Sequence, residues 1–177
     1  GRILDELNRL GLRESTAIVF TSDHGYHLGE HTFWQKSNLH EEVLRVPLII
    51  SVPGMRSGRT RSIVELIDLM PTLAEICDIN VPSTVQGKSL LPVLKDHSAS
   101  VKEGALSFHR GGISYRVNGW SYTRYKGGSE EFYDMKEDPG QFLNLASQDD
   151  NKYMSQLKKI RSKFDKRLKS LGLKVEK

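Results

Sequence analysis

The sequence predicts an α/β fold: a core over residues 1–100, followed by a smaller C-terminal subdomain over residues 101–177 made of an antiparallel meander and an amphipathic helix. Three observations predict it. Two short β-branched apolar runs, at 16–22 and 46–52, stand among helical patterns. Four strand-length segments separated by Gly-Gly, Asn-Gly and Gly-Gly follow Gly104. Tyr153, Leu157, Ile160, Phe164, Leu168 and Leu171 then step by three and four residues.

In chain order, Ile3, Leu4, Leu7 and Leu10 recur at helical spacing and Gly11 stands where a C-cap belongs. The nearly continuous apolar run at 16–22 predicts a strand buried on both faces, as in a parallel sheet covered by helices. Residues 23–37 break all periodicity and hold Gly25, Gly29 and a concentration of His, acidic and aromatic residues. Such loops at the carboxyl ends of strands are where α/β folds place their sites. Residues 38–45 predict a short helical segment, and 46–52 a second buried strand with Pro47 at its start. Asp68 is a candidate N-cap for a helix to about Cys77, with Pro71 tolerated in the first turn. Residues 79–94 are expected to run over the surface. Segments 105–109, 113–117, 120–125 and 131–135 are the meander strands, and Asp149 or Asp150 is expected to cap the last helix.

Composition narrows the function classes. Charged residues make up 27% of the 177 and hydrophobic ones 37%, an ordinary globular balance. No apolar run approaches the roughly 18–20 residues of a membrane span. The single Cys77 forms no intrachain bridge and is expected to be a packed core thiol on the apolar side of its helix. Residues 152–177 hold ten Lys/Arg and two acids, leaving 16 basic and 20 acidic residues before them. The basicity therefore belongs to one helix, whose regular apolar spacing predicts a packed surface helix and not a nucleic-acid face. The chain opens without Met or a basic-then-apolar leader, so it is expected to begin mid-protein.

Chemistry concentrates in residues 21–36. Asp23 and His24, side by side where a strand stops, suit a divalent cation: the carboxylate favours Ca²⁺ or Mg²⁺ and the imidazole widens the range toward Zn²⁺ and Mn²⁺. Asp-His-Gly is also ordinary turn sequence, so spacing alone leaves both readings open. Lys36, across the loop, could act as a cationic clamp on an anionic substrate. Trp34 either stacks on a sugar ring or pins the loop. Arg56, Arg59 and Arg61 either read an anion or are solvated, and His40, His97 and His109 have no evident partner.

The run Ile18-Val19-Phe20-Thr21-Ser22-Asp23-His24-Gly25, with Leu28-Gly29-Glu30-His31, Trp34-Gln35-Lys36 and Val46-Pro47-Leu48-Ile49, resembles the C-terminal half of a sulfatase, nearest the iduronate-2-sulfatase and choline-sulfatase branch. The blocks 64–73, 86–92, 132–141 and 144–146 continue the likeness in order across residues 16–146. The resemblance implies an alkaline-phosphatase-like α/β/α core and metal-dependent hydrolysis of sulfate esters, with sulfated saccharides or glycosaminoglycans as substrates. It implies Asp23 and His24 as metal ligands, usually for Ca²⁺, Lys36 as the sulfate-contacting catalytic lysine, and His31 and Tyr26 as residues lining the substrate pocket. It also implies a periplasmic, secreted or lysosomal setting. The family's formylglycine motif and two further Asp ligands belong to an N-terminal half and have no match here; Cys77, followed by Asp78-Ile79-Asn80, does not fit that motif. The expectation is an enzyme whose partner is its own N-terminal half, this chain being inactive alone. A phosphonate monoester or phosphodiester hydrolase of the same superfamily, or a noncatalytic anion-binding module, are the alternatives.

Overall fold

The computed structural model describes residues 1–148 and 151–173. Its elements are α1 (Arg2–Arg9), β1 (Ile18–Thr21), α2 (Glu41–Leu44), β2 (Leu48–Ser51), α3 (Leu69–Ile76), α4 (Leu91–Lys95), β3 (Gly104–His109), β4 (Gly112–Val117), β5 (Trp120–Tyr125), β6 (Glu130–Asp134) and α5 (Asn151–Ser170). Two compact units emerge. One holds Gly1–Asp23, Val46–Ser62 and Leu66–Val101; the other holds His24–Arg45, Ile63–Glu65 and the chain from Lys102 onward.

In the first unit, α1 ends as its sequence dictates: Leu10 follows the last helical residue and Gly11 turns into the left-handed region at φ +67°. β1 and β2 pair antiparallel, with Phe20 opposite Ile49, which corrects the parallel-sheet expectation. A continuous apolar run carries no information on strand direction. The two paired residues also remain 59% and 61% exposed, so residues of this chain alone do not cover both faces of the sheet.

Asp68 is fully buried and stands at the expected N-cap position of α3, but its side chain makes no capping bond there. It sits in helical geometry after a 3₁₀ turn, and its carboxylate accepts from the Lys88 backbone N–H at 2.9 Å. Thr72, also fully buried, accepts from the Leu90 N–H at 2.8 Å. These two bonds seat α4, whose Leu91 and Val93 are buried together with Leu90. The expectation that 79–94 runs over the surface holds for residues 79–89, which are exposed or half-buried, and fails at Leu90, Leu91 and Val93, which are buried. Cys77 is exposed, because α3 stops at Ile76 and Asp78 turns left-handed at φ +56°. The packed-thiol expectation is overturned.

The second unit contains the meander in the order β3-β4-β5-β6, all antiparallel. Its turns fall at the Gly pairs and Asn-Gly, with Gly111, Gly119, Gly127 and Gly128 at positive φ. Alternation separates two faces. Leu106, Tyr115, Tyr122 and Phe132 lie opposite one another across the four strands and form an apolar row. Against that row α5 packs Leu157, Ile160, Phe164 and Leu168, each at most 2% exposed. Phe164 meets Tyr122 edge-on at 5.1 Å, and Trp120 stacks on Phe132 at 4.8 Å. The expected Asp149 or Asp150 cap lies outside the described residues. The opposite face carries Ser114, Arg116, Ser121, Thr123, Glu131 and Tyr133, and it too is largely buried.

Charged groups of α5 are tied to the sheet at its margin. Arg124 lies over the Phe164 ring at 4.9 Å and donates to Asp165 at 2.8 Å. Glu130 pairs with Arg161 and accepts from Tyr122. Burial raises the Glu130 carboxyl, but Arg161, Tyr122 and Arg124 outweigh it and hold it below the usual carboxylate range. Burial, then Glu130, pushes the Tyr122 phenol up to about 12.

Two outcomes are expected. Phe164→Ala should cost about 3–5 kcal/mol in urea unfolding, because a fully buried ring is lost from a packed row. Since the Glu130 carboxyl is depressed in the folded state, its stabilisation is present above its unfolded pKa and is lost as pH falls through its folded value. The stability gap between the wild type and Glu130→Gln should therefore be flat above about pH 5 and shrink below about pH 4.3.

Candidate functional site

Residues 24–45 cover the polar face of the meander, and three contacts fasten them there. The Glu41 N–H at the start of α2 donates to the Gln141 side-chain oxygen at 2.6 Å, and Gln141 in turn donates to Ser121 at 3.2 Å. The Glu41 carboxylate accepts from Arg116 at 3.1 Å. Leu39, 2% exposed, rests over Gly112, where a Cβ would press on its methyl at 2.8 Å.

The loop closes on itself through its backbone. Gly25 donates to the Val43 carbonyl at 2.8 Å, His27 to Gln35 at 3.1 Å and Gly29 to Phe33 at 2.9 Å. A side chain at Gly25 would overlap the Glu42 carbonyl, so glycine is obligatory at this approach. At the tip Gly29, His31 and Thr32 all take positive φ, a strained turn for a histidine and a β-branched residue.

This closure brings His24 and Lys36, twelve residues apart, into contact: Lys36 Nζ lies 2.6 Å from His24 Nε2. An ammonium only donates, so Nε2 presents its lone pair and the ring proton sits on Nδ1. That proton has its acceptor in the Gly25 carbonyl at 2.7 Å. Both neighbours thus select one tautomer, with Nε2 facing a cation. Nε2 could ligate a divalent ion only in place of the Lys36 ammonium. Asp23 is exposed, two residues beyond the end of β1. No three His, Cys, Asp or Glu among the described residues are grouped to hold a metal.

The other predicted residues separate. Tyr26 is half exposed, and its hydroxyl donates to the Trp34 carbonyl at 2.7 Å, while the Trp34 ring is 70% exposed. His31 stacks on Phe142 at 4.7 Å and faces His40 at 4.4 Å. Arg56, Arg59 and Arg61 are exposed.

The structure adds a group that the sequence reading missed. His27 is fully buried, and its ring lies 5.7 Å from that of His31 and 5.9 Å from that of His40. One ring nitrogen is 3.9 Å from Glu30 and the other 4.0 Å from Glu42. His40, expected to lack a partner, is 3.5 Å from Glu131. Glu30 is held below the usual carboxylate range by its own backbone N–H and that of Leu28, then by His27 and His31. Burial, then Glu131, pushes the Tyr125 and Tyr133 phenols well up. Only the i, i+3 spacing of His27 and Glu30 hinted at this cluster; its other carboxylates arrive from α2 and β6.

Residues 29–171 match the family described as N-sulphoglucosamine sulphohydrolase, C-terminal. Arylsulfatase K of Xenopus laevis is 32% identical over 183 residues, covering 93% of this chain but 34% of that protein. A solved structure in complex with its substrate D-glucosamine-2-N,6-O-disulfate superposes with TM-score 0.89 at 29% identity, over 96% of this chain and 37% of its own. A phosphonate monoester hydrolase from Silicibacter pomeroyi gives 0.83 at 24% identity, over 96% and 38%, a likeness of fold alone. The chain thus spans about a third of the length of these relatives.

Gly25→Ala is expected to open residues 24–45. Limited proteolysis should cut there severalfold faster while the meander stays protected, because the new methyl displaces the Glu42 carbonyl and breaks the Gly25–Val43 bond.

Proposed function

The chain belongs to the sulfatase family, and on that premise we propose that it supplies the sulfate-handling half of an enzyme that hydrolyses sulfate esters of saccharides, glycosaminoglycans among them. The contact of Lys36 with His24 carries this reading, because it sets an ammonium beside an imidazole lone pair in the loop that follows β1. Lys36 donates its N–H groups to the sulfuryl oxygens and is worth most in the transition state, where their charge grows. Asp23 and, once the Lys36 ammonium turns from it to the sulfuryl oxygens, His24 Nε2 would ligate a divalent cation, calcium first and magnesium second. When bound, that ion supplies Lewis-acid neutralisation of the sulfate oxygens. Tyr26, half exposed, lines the saccharide side, and His31, stacked on Phe142, shapes the loop beside it.

An upstream half of the same protein supplies the formylglycine nucleophile and the remaining Asp ligands. The exposed Phe20 and Ile49 face of the β1–β2 sheet is the surface it would cover. Placement in the iduronate-2-sulfatase and choline-sulfatase branch, and in a periplasmic, secreted or lysosomal setting, rests on the motifs at 21–36. Both the substrate D-glucosamine-2-N,6-O-disulfate of one neighbour and the description of the matched family favour a sulfated amino sugar class over a simple aryl ester.

The test is hydrolysis of a fluorogenic sulfate ester and its phosphate counterpart by the protein that joins this chain to its upstream half. Sulfate cleavage should fall by roughly 10²–10³ in Lys36→Ala and be lost in Asp23→Ala, with folding intact. A preference for phosphate would move the protein to the phosphonate and phosphodiester hydrolases, and unchanged turnover in Lys36→Ala would sink the role given to that residue.

A further inference from the structure

His27 is anomalous. It is fully buried, yet neither ring nitrogen has a hydrogen-bond partner, and the Glu42 oxygen that it faces is likewise buried and unpartnered. A neutral imidazole cannot satisfy this setting, because it offers one donor and one acceptor whereas both neighbours, Glu30 and Glu42, are acceptors. One nitrogen lone pair would then face a carboxylate oxygen. An imidazolium carries two donors, one facing each carboxylate at ion-pair distances of 3.9 and 4.0 Å, so a single proton gives both nitrogens and the Glu42 oxygen an oppositely charged neighbour. A metal ion is not the alternative, since no group of the required kind is assembled among the described residues.

The position gives that proton a consequence. Glu42 lies in α2, which is fastened to the sheet, and Glu30 lies at the loop tip, where it already accepts from the Leu28 N–H at 2.7 Å. An imidazolium between them clamps tip to base. The His27 N–H donates to the carbonyl of Gln35, the residue before Lys36, so the clamp fixes the strand that presents the ammonium.

We propose that His27 is the positioning residue of Lys36, acting as an imidazolium held between Glu30 and Glu42, so that proton uptake sets the geometry of the anion site. This deepens the sulfatase reading and rests on it for the role of Lys36. The other titratable groups facing the cluster limit it to few protons. His31 and His40, 4.4 Å apart, repel if both are charged. His40 has its own carboxylate, Glu131 of β6, whose charge also bears on the Tyr125 and Tyr133 phenols. Glu41 is engaged by Arg116 of β4 and does not compete for His27.

The test follows hydrogen exchange of the His27 amide in the protein that joins this chain to its upstream half, corrected for intrinsic rate, between about pH 8 and about pH 5.5. Protection is expected to rise roughly tenfold on acidification, the scale of a charge-assisted hydrogen bond. The rise should vanish in His27→Gln and in the near-isosteric Glu42→Gln, which keeps the proposal testable if the buried His27 variant does not fold. Affinity for inorganic sulfate should tighten over the same range in the wild type and lose that pH dependence in Glu42→Gln. Flat protection in the wild type, or a rise that persists in Glu42→Gln, overturns the proposal. A purely structural His27 would weaken protection equally at both pH values, which also overturns it. If sulfate fails to bind at any pH, the sulfatase reading fails, while the exchange measurement still decides the role of His27.

Discussion

The Glu41 main-chain N–H and carboxylate are the fixture on which the site depends. Residues 24–45 have little regular structure of their own, so their geometry must be borrowed. Gln141 takes the N–H and Arg116 takes the carboxylate, and each partner is itself held by the sheet: Gln141 through Ser121, Arg116 through the Val117 and Trp120 carbonyls. Such side-chain bonds are individually modest, about 1 kcal/mol net, but they are expensive to leave unmade once the groups are buried. That asymmetry makes the loop specific. A register slip would strand several buried polar atoms at once.

The meander therefore has two unlike faces with one cause. Alternation along β4, β5 and β6 sends Tyr115, Tyr122 and Phe132 toward α5 and Ser114, Ser121 and Glu131 toward the loop. The apolar face contributes stability through area removed from water, and the polar face contributes direction through hydrogen bonds. The same strands thus anchor the unit and orient its chemistry, which is why the small antiparallel sheet is more than an appendage to the site.

The meander and α5 were legible in the sequence because each is encoded locally, by Gly-bearing turns and by apolar residues at steps of three and four. What escaped was set by distant partners. The direction of β1 and β2 depends on pairing that an apolar run does not state, and Asp68 reads as a cap until Lys88, twenty residues later, is seen to claim its carboxylate. Asp23, His24 and Lys36 were recognisable as a motif. The 2.6 Å contact between His24 and Lys36 was not, because it requires the closure at Gly25 and His27. The cluster of His27, Glu42 and Glu131 had no local signature, since its members lie on a loop, a one-turn helix and a strand far apart in the chain.

The contact between His24 and Lys36 also explains why the loop is glycine-bearing and strained. An ammonium and an imidazole approach closely only when the ring turns a lone pair toward the donor, which obliges Nδ1–H to find an acceptor on the other side. The Gly25 carbonyl is that acceptor, and Gly25 can sit there only because it lacks a side chain against Glu42. One residue thus fixes a tautomer and a close approach at once. The positive φ angles at His31 and Thr32 are the local cost of returning the chain to Lys36 within the span of the loop. Strain at the tip and order at the base are two parts of one construction, whose product is an exposed lysine held beside His24.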